Sequence, residues 1–385
     1  MINLHNTLFP CGGESKQKGI DISALDPKKP IEAVRFSDGW GIFNNKRKFW
    51  VNDEEKQSIE SLSNSYKEFN PDRKAGETWH SLSPLELEVE LSRQCNQRCS
   101  HCWNESTITG ERLDKKILKK VLSTFREYGG QKILATGGEP LMYPDFEEII
   151  EFCGEIGVTN FNLVTNGTLI NQSMARRLSK YLDTVCVSIH GNNPEIHDGI
   201  TLLKDSFERA KKGVKNLREE GVRVLLYFSV MESNFESIPK MFDLVKEWDC
   251  TGIRFKPLNH CGRGGSLNPM TSEGKRLLRE YIEKKSEKEG VRVITSELFQ
   301  KEYGNDPRLF RFVGCNALRT FLYLQSNGDL LSCNMVPEIF GNVKKDNIYD
   351  VWISHQASEF RDKRICKPTY KICGDCGGGC KSIVT

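Results

Sequence analysis

The sequence predicts an α/β protein: a partial (β/α)6 TIM-like barrel with a small N-terminal α+β extension and a C-terminal cysteine-rich domain. Three observations predict it. From about residue 85, short apolar strands alternate with amphipathic helices six times. Tandem βα units imply parallel strands joined by right-handed crossovers. The first 80 residues differ, with short alternating runs around an Asp38-Gly39 turn. The tail differs again, holding six of the 14 cysteines between positions 315 and 380.

In chain order, residues 31–36, 40–43 and 48–51 read as a small antiparallel sheet, and 53 to about 69 as a helix. The polar stretch 70–76 reads as a linker. Strand 85–91 puts Leu85, Leu87, Val89 and Leu91 on one face and Glu86, Glu88 and Glu90 on the other. Helix 113–128 follows by its period. Strand 132–136 leads to helix 146–156, strand 160–164 to helix 172–181, and strand 185–189 to helix 206–220. Strand 222–230 leads to helix 238–248, and strand 252–257 to helix 273–287. Loops leaving the C-terminal ends of such strands form the active face. In the tail, 321–325, Asn327-Gly328 and 329–333 predict a hairpin, and 347–360 a short helix. The expected divisions are 1–80 for the extension, 85–290 for the barrel and 305–385 for the cysteine-rich domain.

Apolar residues make up 38% and charged residues 28%, as in globular rather than disordered or membrane proteins. Lys+Arg (55) nearly balance Asp+Glu (52), which gives no reason to expect nucleic acid as a partner. No apolar run is long enough to cross a bilayer. The start, Met1-Ile2-Asn3-Leu4-His5-Asn6, lacks the layout of a signal peptide. The expected location is cytoplasmic, where thiols stay reduced. Metal binding then takes precedence over disulfides for the cysteines. Cys11, Cys153, Cys186, Cys250 and Cys261 are scattered, and most read as small buried apolar residues.

Cys95, Cys99 and Cys102 follow the first barrel strand directly, with C-x3-C-x2-C spacing. Three thiolates so close can hold three corners of a cuboidal iron–sulfur cluster, whose full ligation takes four. The fourth iron is then bare, as is the open position on a catalytic metal. On spacing alone, part of a zinc site or a ferredoxin fragment accounts for them equally well. The next strand runs into Gly137-Gly138-Glu139-Pro140. Glycines let a ligand approach the backbone, Glu accepts hydrogen bonds from an ammonium group, and Pro fixes the exit direction. Alone, this is also an ordinary βα turn.

Together, the two motifs resemble the radical S-adenosylmethionine (radical SAM) superfamily. In that family the bare iron binds the amino and carboxyl groups of the SAM methionine. The resemblance implies that Gly137, Gly138 and Glu139 hold that amino group and that His101 sits near the adenine. Asn166, in Val164-Thr165-Asn166-Gly167, and Ser188, in Val187-Ser188-Ile189-His190-Gly191, resemble segments that contact the SAM ribose and carboxylate. His190 stands where many relatives have Asp. His197-Asp198 also fits, but the Arg-Gly that often follows is replaced by Gly199-Ile200-Thr201-Leu202, so one usual carboxylate contact is unassigned. The resemblance spans about 90 to 260.

In the tail, Cys315, Gly328 and Cys333 resemble the opening of the SPASM extension, which carries auxiliary 4Fe-4S clusters. The family usually continues C-x2-C-x5-C-x3-C and a last cysteine; this chain has Cys366, Cys373, Cys376 and Cys380. Six cysteines fall short of the roughly eight that two fully ligated clusters take, and Cys261 is a candidate for one more. The resemblance implies one auxiliary cluster, or two with unusual ligands. A zinc ribbon of Cys315, Cys333, Cys373 and Cys376 is the alternative.

The resemblance implies an enzyme with a SAM-binding 4Fe-4S cluster that accepts an electron, cleaves SAM and yields a 5′-deoxyadenosyl radical, which takes a hydrogen atom from the substrate. It implies a low-potential electron donor of flavodoxin or ferredoxin type. Relatives with the extension mostly modify peptides, so the expected substrate is a ribosomally made peptide or protein side chain, crosslinked or oxidised. Modification of a small molecule or tetrapyrrole is one alternative; a non-catalytic iron–sulfur electron-transfer protein is another. The N-terminal unit has the size of a leader-peptide recognition module, which can take a peptide as an added strand, or of a packing extension. Arg254 and Lys256 share one strand face, and facing inward they either hold a substrate carboxylate or pair with nearby acids.

Overall fold

The computed structural model describes residues 31–36, 39–44, 47–51, 53–60, 66–69, 80–294 (except 159, 183, 259 and 269) and 317–366 (except 335). Strands β1 (Ile31–Phe36), β2 (Gly39–Asn44) and β3 (Arg47–Val51) form the expected antiparallel meander. Helix α1 (Asp53–Glu60) follows, and then β4 (Tyr66–Phe69) pairs parallel to β1 on its far side. The helix expected over 53–69 therefore ends early, and its last turns become a strand. Pairing with β1 satisfies that segment's backbone, which no local pattern reveals. Lys56 ties the two together, pairing with Glu60 and Glu68 at 2.5 Å each. Ile31, Ala33, Trp40, Ile42 and Ile59 are buried in this unit.

The barrel strands are β5 (Glu86–Glu90), β6 (Lys132–Thr136), β7 (Asn160–Thr165), β8 (Thr184–Ser188), β9 (Arg223–Val230) and β10 (Gly252–Pro257), with a short β11 (Val293–Ile294) beyond. All pair parallel, in sequence order. The helices between them are α2 (Lys115–Glu127), α3 (Phe146–Glu155), α4 (Gln172–Leu178), α5 (Pro194–Thr201), α6 (Ser206–Glu219), α7 (Ile238–Glu247) and α8 (Ser272–Glu289). Asp114 caps α2 and Asn171 caps α4 through side-chain bonds to backbone N–H groups, each contributing about 1 kcal/mol. Leu87, Val89, Ile133, Ala135, Leu163, Val185, Val187, Leu226, Phe228 and Phe255 are buried in the main core, on the helix side of the sheet. The alternate positions face the lumen and are mostly polar: Glu86, Glu88, Lys132, Cys186, Ser188, Tyr227, Arg254 and Lys256. Helix α5 was not expected, although Asn193 and Pro194 supply a cap and a first-turn proline.

Among the described residues the sheet does not close on itself. Strand β5 pairs instead with β12 (Phe321–Leu324), parallel, and the sheet continues antiparallel through β13 (Asp329–Cys333) and β14 (Val336–Asn342). The expected hairpin is present, with Gly328 at φ 97° in its turn. The helix expected over 347–360 is two, α9 (Ile348–Ile353) and α10 (His355–Cys366), separated at Ser354, whose backbone is extended. The N-terminal unit docks through buried Glu32, which pairs with Arg126 and accepts from Gln131 Nε2 at 2.8 Å. Both partners lie where α2 ends and β6 begins, opposite the C-terminal strand ends.

Candidate functional site

The cysteine loop leaves β5 at the C-terminal face. Cys95 is buried, and Cys99 and Cys102 are half-buried. Burial and the nearby Glu139 charge push the Cys95 thiol up to about 12. Burial, then Cys95 and Cys102, push the Cys99 thiol up. The three sulfurs are thus within electrostatic reach of one another, although among the described residues no three His, Cys, Asp or Glu side chains close into a set that would hold a metal ion.

The glycine loop lies against the cysteine loop. Gly138 N–H donates to Ser92 O, and Glu139 N–H to Gln94 O, both at 2.7 Å. A Cβ on Gly137 would stand 2.4 Å from Ser92 O, and one on Gly138 2.1 Å from Gln94 O. The close approach that requires these glycines is therefore that of the cysteine loop's backbone. Glu139 is buried, and its carboxylate accepts from Leu141 N–H (3.1 Å) and Thr165 Oγ1 (2.6 Å) on Oε1 and from Asn166 N–H (2.7 Å) on Oε2. Burial raises its pKa. These bonds leave one acceptor position on Oε2. Asn166 reaches back to the cysteine loop, its Nδ2 donating to Asn96 Oδ1 at 2.8 Å and lying 4.0 Å from Cys95 Sγ.

Three histidines run from this loop into the barrel wall. His101 meets His190 edge-on at 4.4 Å, and His190 stacks on His197 at 6.0 Å. Burial pushes His101 and His197 down to about 4, and His190 well below its usual range. His197 Nδ1 accepts the His190 N–H at 3.0 Å, and His190 Nδ1 accepts the Ser229 N–H at 3.2 Å. Ser188 ends β8, half-buried. Asp198 serves α6, accepting from Ser206 Oγ and Phe207 N–H at 2.8 Å and Asp205 N–H at 2.7 Å.

Residues that sequence patterns did not single out hold the loop in shape. Arg263, after β10, donates from Nε to Cys99 O (2.9 Å), from Nη2 to Ser106 O (3.1 Å) and from its backbone to Cys102 O (3.0 Å). Asn104 Nδ2 donates to Gly137 O (3.2 Å) and Glu90 (3.4 Å). Hydrogen bonds to main-chain carbonyls leave no spacing signal in sequence. In the lumen, Arg254 and Lys256 flank the Tyr227 ring at 5.3 and 5.1 Å, so both do face inward.

Of the tail cysteines, Cys333 ends β13, half-buried, and its neighbour Asn334 donates to Glu88 in the lumen at 3.3 Å. Cys366 ends α10, its side chain outside the described atoms; Cys315, Cys373, Cys376 and Cys380 lie outside the described residues. Cys153 is buried as expected, whereas Cys186, Cys250 and Cys261 are half-buried.

An open parallel barrel with its thiols at the C-terminal strand ends is the frame of a barrel enzyme. The chain belongs to the radical SAM superfamily, which it matches over residues 89–245. Residues 315–377 match SPASM, an iron-sulfur cluster-binding domain. The protein is thus an enzyme of 4Fe-4S clusters and SAM. It is similar to the AdoMet-dependent heme synthase of Methanosarcina barkeri (26% identical over 320 residues, 76% of this chain and 88% of that one). The antilisterial bacteriocin subtilosin biosynthesis protein AlbA of Bacillus subtilis is 26% identical over 312 residues, 77% of this chain and 67% of that one. Streptococcus suis SuiB, in its structure bound to precursor peptide SuiA, shares the fold, with a TM-score of 0.69 at 17% identity over 92% of this chain and 93% of that one. Among the described residues no helix is long and apolar enough to cross a membrane.

Proposed function

We propose that this enzyme modifies a ribosomally made peptide or protein side chain, by crosslinking or oxidation. In this reading Cys95, Cys99 and Cys102 hold the SAM-binding cluster. Glu139 offers its remaining acceptor position to the SAM ammonium, Gly137 and Gly138 keep the loop against the cysteines, and Asn166, Ser188 and His101 line the rest of the pocket. Cys315, Cys333, Cys366, Cys373, Cys376 and Cys380 hold one or two auxiliary clusters. Bound there, cluster and SAM supply a 5′-deoxyadenosyl radical that takes a hydrogen atom from the substrate. The chain's part is to hold the target carbon in place, where small displacements cost large factors. A low-potential flavodoxin or ferredoxin supplies the electron.

The observation that carries the peptide reading is the N-terminal sheet. The likeness to SuiB covers 92% of the chain, so it extends beyond residues 81–385 into this unit. Strand β3 ends the sheet with no further strand paired to it among the described residues, the kind of edge on which a peptide adds as a strand. Reduced enzyme incubated anaerobically with SAM and a candidate precursor peptide is expected to change the peptide's mass, dependent on the three loop cysteines. Turnover of a free tetrapyrrole or other small metabolite without any peptide would overturn it. The similarity to a heme synthase favours that second reading.

A further inference from the structure

Gln97 lies between two of the three loop thiols. Its backbone N–H donates to Cys95 Sγ, and its Oε1 accepts from Cys99 Sγ, both at 3.4 Å. The residue is 6% exposed, and its Nε2 has no hydrogen-bond partner. A buried amide donor without an acceptor is costly and rare. An iron-bound thiolate has no hydrogen to give and only accepts, so the present Cys99–Gln97 pairing does not survive ligation. The two ends of an amide have nearly the same shape. A half-turn of the Gln97 amide presents Nε2 to Cys99 and gives the orphan donor its acceptor. Asn104, beside Cys102 Sγ at 3.0 Å, is not free to do the same. Ser106 Oγ holds its Oδ1 at 2.6 Å, and Gly137 O and Glu90 hold its Nδ2.

We propose that Gln97 is a positioning residue for the SAM-binding cluster, donating its backbone N–H to Cys95 and its side-chain N–H to Cys99. Such donors stabilise the added negative charge of the reduced cluster and raise its reduction potential. This rests on assigning that cluster to Cys95, Cys99 and Cys102.

The test uses full-length protein, reconstituted without oxygen, and reads the electron paramagnetic resonance (EPR) signal that changes when SAM is added. In Gln97→Leu and Gln97→Met, which keep bulk and lose the donor, the midpoint potential of that signal is expected to move lower while iron and sulfide contents stay at the wild-type level. In wild-type protein carrying 15N in its glutamine side-chain amides, pulsed EPR of the reduced cluster is expected to show a nitrogen coupling. That second measurement decides the matter if neither variant loads. A loaded, reduced wild-type cluster without the coupling overturns the role of Gln97, as do two loaded variants with the wild-type potential. Absence of any SAM-responsive cluster in the wild type is a different failure, that of the assignment to these cysteines.

Discussion

The Tyr323 hydroxyl donates to the Glu90 carboxylate at 2.9 Å. This bond joins the first barrel strand to the C-terminal hairpin beneath the cysteine loop. The same carboxylate accepts from Ser326 Oγ (2.6 Å), Arg93 Nε (3.1 Å) and Asn104 Nδ2 (3.4 Å). Burial pushes the Glu90 pKa up, but the Ser326 bond, the Arg93 charge and the Tyr323 bond together outweigh it and hold the group below the usual carboxylate range. Asn104 stands 3.0 Å from Cys102 Sγ, so the C-terminal hairpin reaches the thiols through two side chains.

Tyr323→Phe and Ser326→Ala each remove one hydrogen bond to a buried charge. Each is expected to cost about 1.5–3 kcal/mol in denaturant titrations at neutral pH. The pH dependence has a fixed sign. Glu90 has a folded pKa below its unfolded one, so its stabilisation is complete above the ordinary carboxylate pKa and fades as pH falls through the folded value. Wild type is expected to lose stability on acidification, and both variants to lose less, because their Glu90 pKa is less depressed. Parallel curves for wild type and variants would contradict this.

Gly138→Ala would put a methyl carbon 2.1 Å from Gln94 O. The two loops must part, at an expected cost of about 1–3 kcal/mol, with less bound iron after reconstitution. Gly137→Ala adds backbone strain, since Gly137 holds φ at 135°. Wild-type iron content and melting temperature in both variants would show that the loops do not pack this closely.

Arg263→Ala removes two charged hydrogen bonds to loop carbonyls, each contributing about 1.5–3 kcal/mol. The expected result is weaker SAM binding and at least tenfold slower 5′-deoxyadenosine formation. Arg263→Lys should rescue little, because one ammonium cannot span both carbonyls as the planar guanidinium does. Full rescue by Lys would point to charge alone.

Arg126→Met leaves Glu32 buried without its cation. The expected loss is about 3–5 kcal/mol, with the double change Glu32→Gln, Arg126→Met recovering part of it. Differential denaturation and protease sensitivity of the first 80 residues would report it. An unchanged melting profile would mean that the N-terminal sheet is held elsewhere.

Much of the barrel was legible because strands 132–136 and 252–257 carry their burial pattern locally, with period two between turn residues. The C-x3-C-x2-C and Gly-Gly-Glu-Pro segments were legible as motifs because each is a run of fixed spacing at a strand end, and the structure packs one against the other. What failed depended on distant partners. Residues 66–69 form a strand only because β1 offers an edge, and β12 pairs with β5 across more than 200 residues. The hold of the Asp198 carboxylate on the start of α6 was likewise not visible in the sequence. Arg263 and Gln97 act through backbone carbonyls and sulfur, and such contacts have no periodicity to find.

The central claim, a SAM-binding cluster on Cys95, Cys99 and Cys102, is tested most directly by EPR of the reduced, reconstituted protein with and without SAM, with 5′-deoxyadenosine measured in the same samples. The account predicts a signal that changes on adding SAM, together with the nucleoside product. It predicts that replacing all three cysteines by Ala removes both, along with about four irons per chain. A signal indifferent to SAM, or 5′-deoxyadenosine still formed by the triple variant, would contradict it.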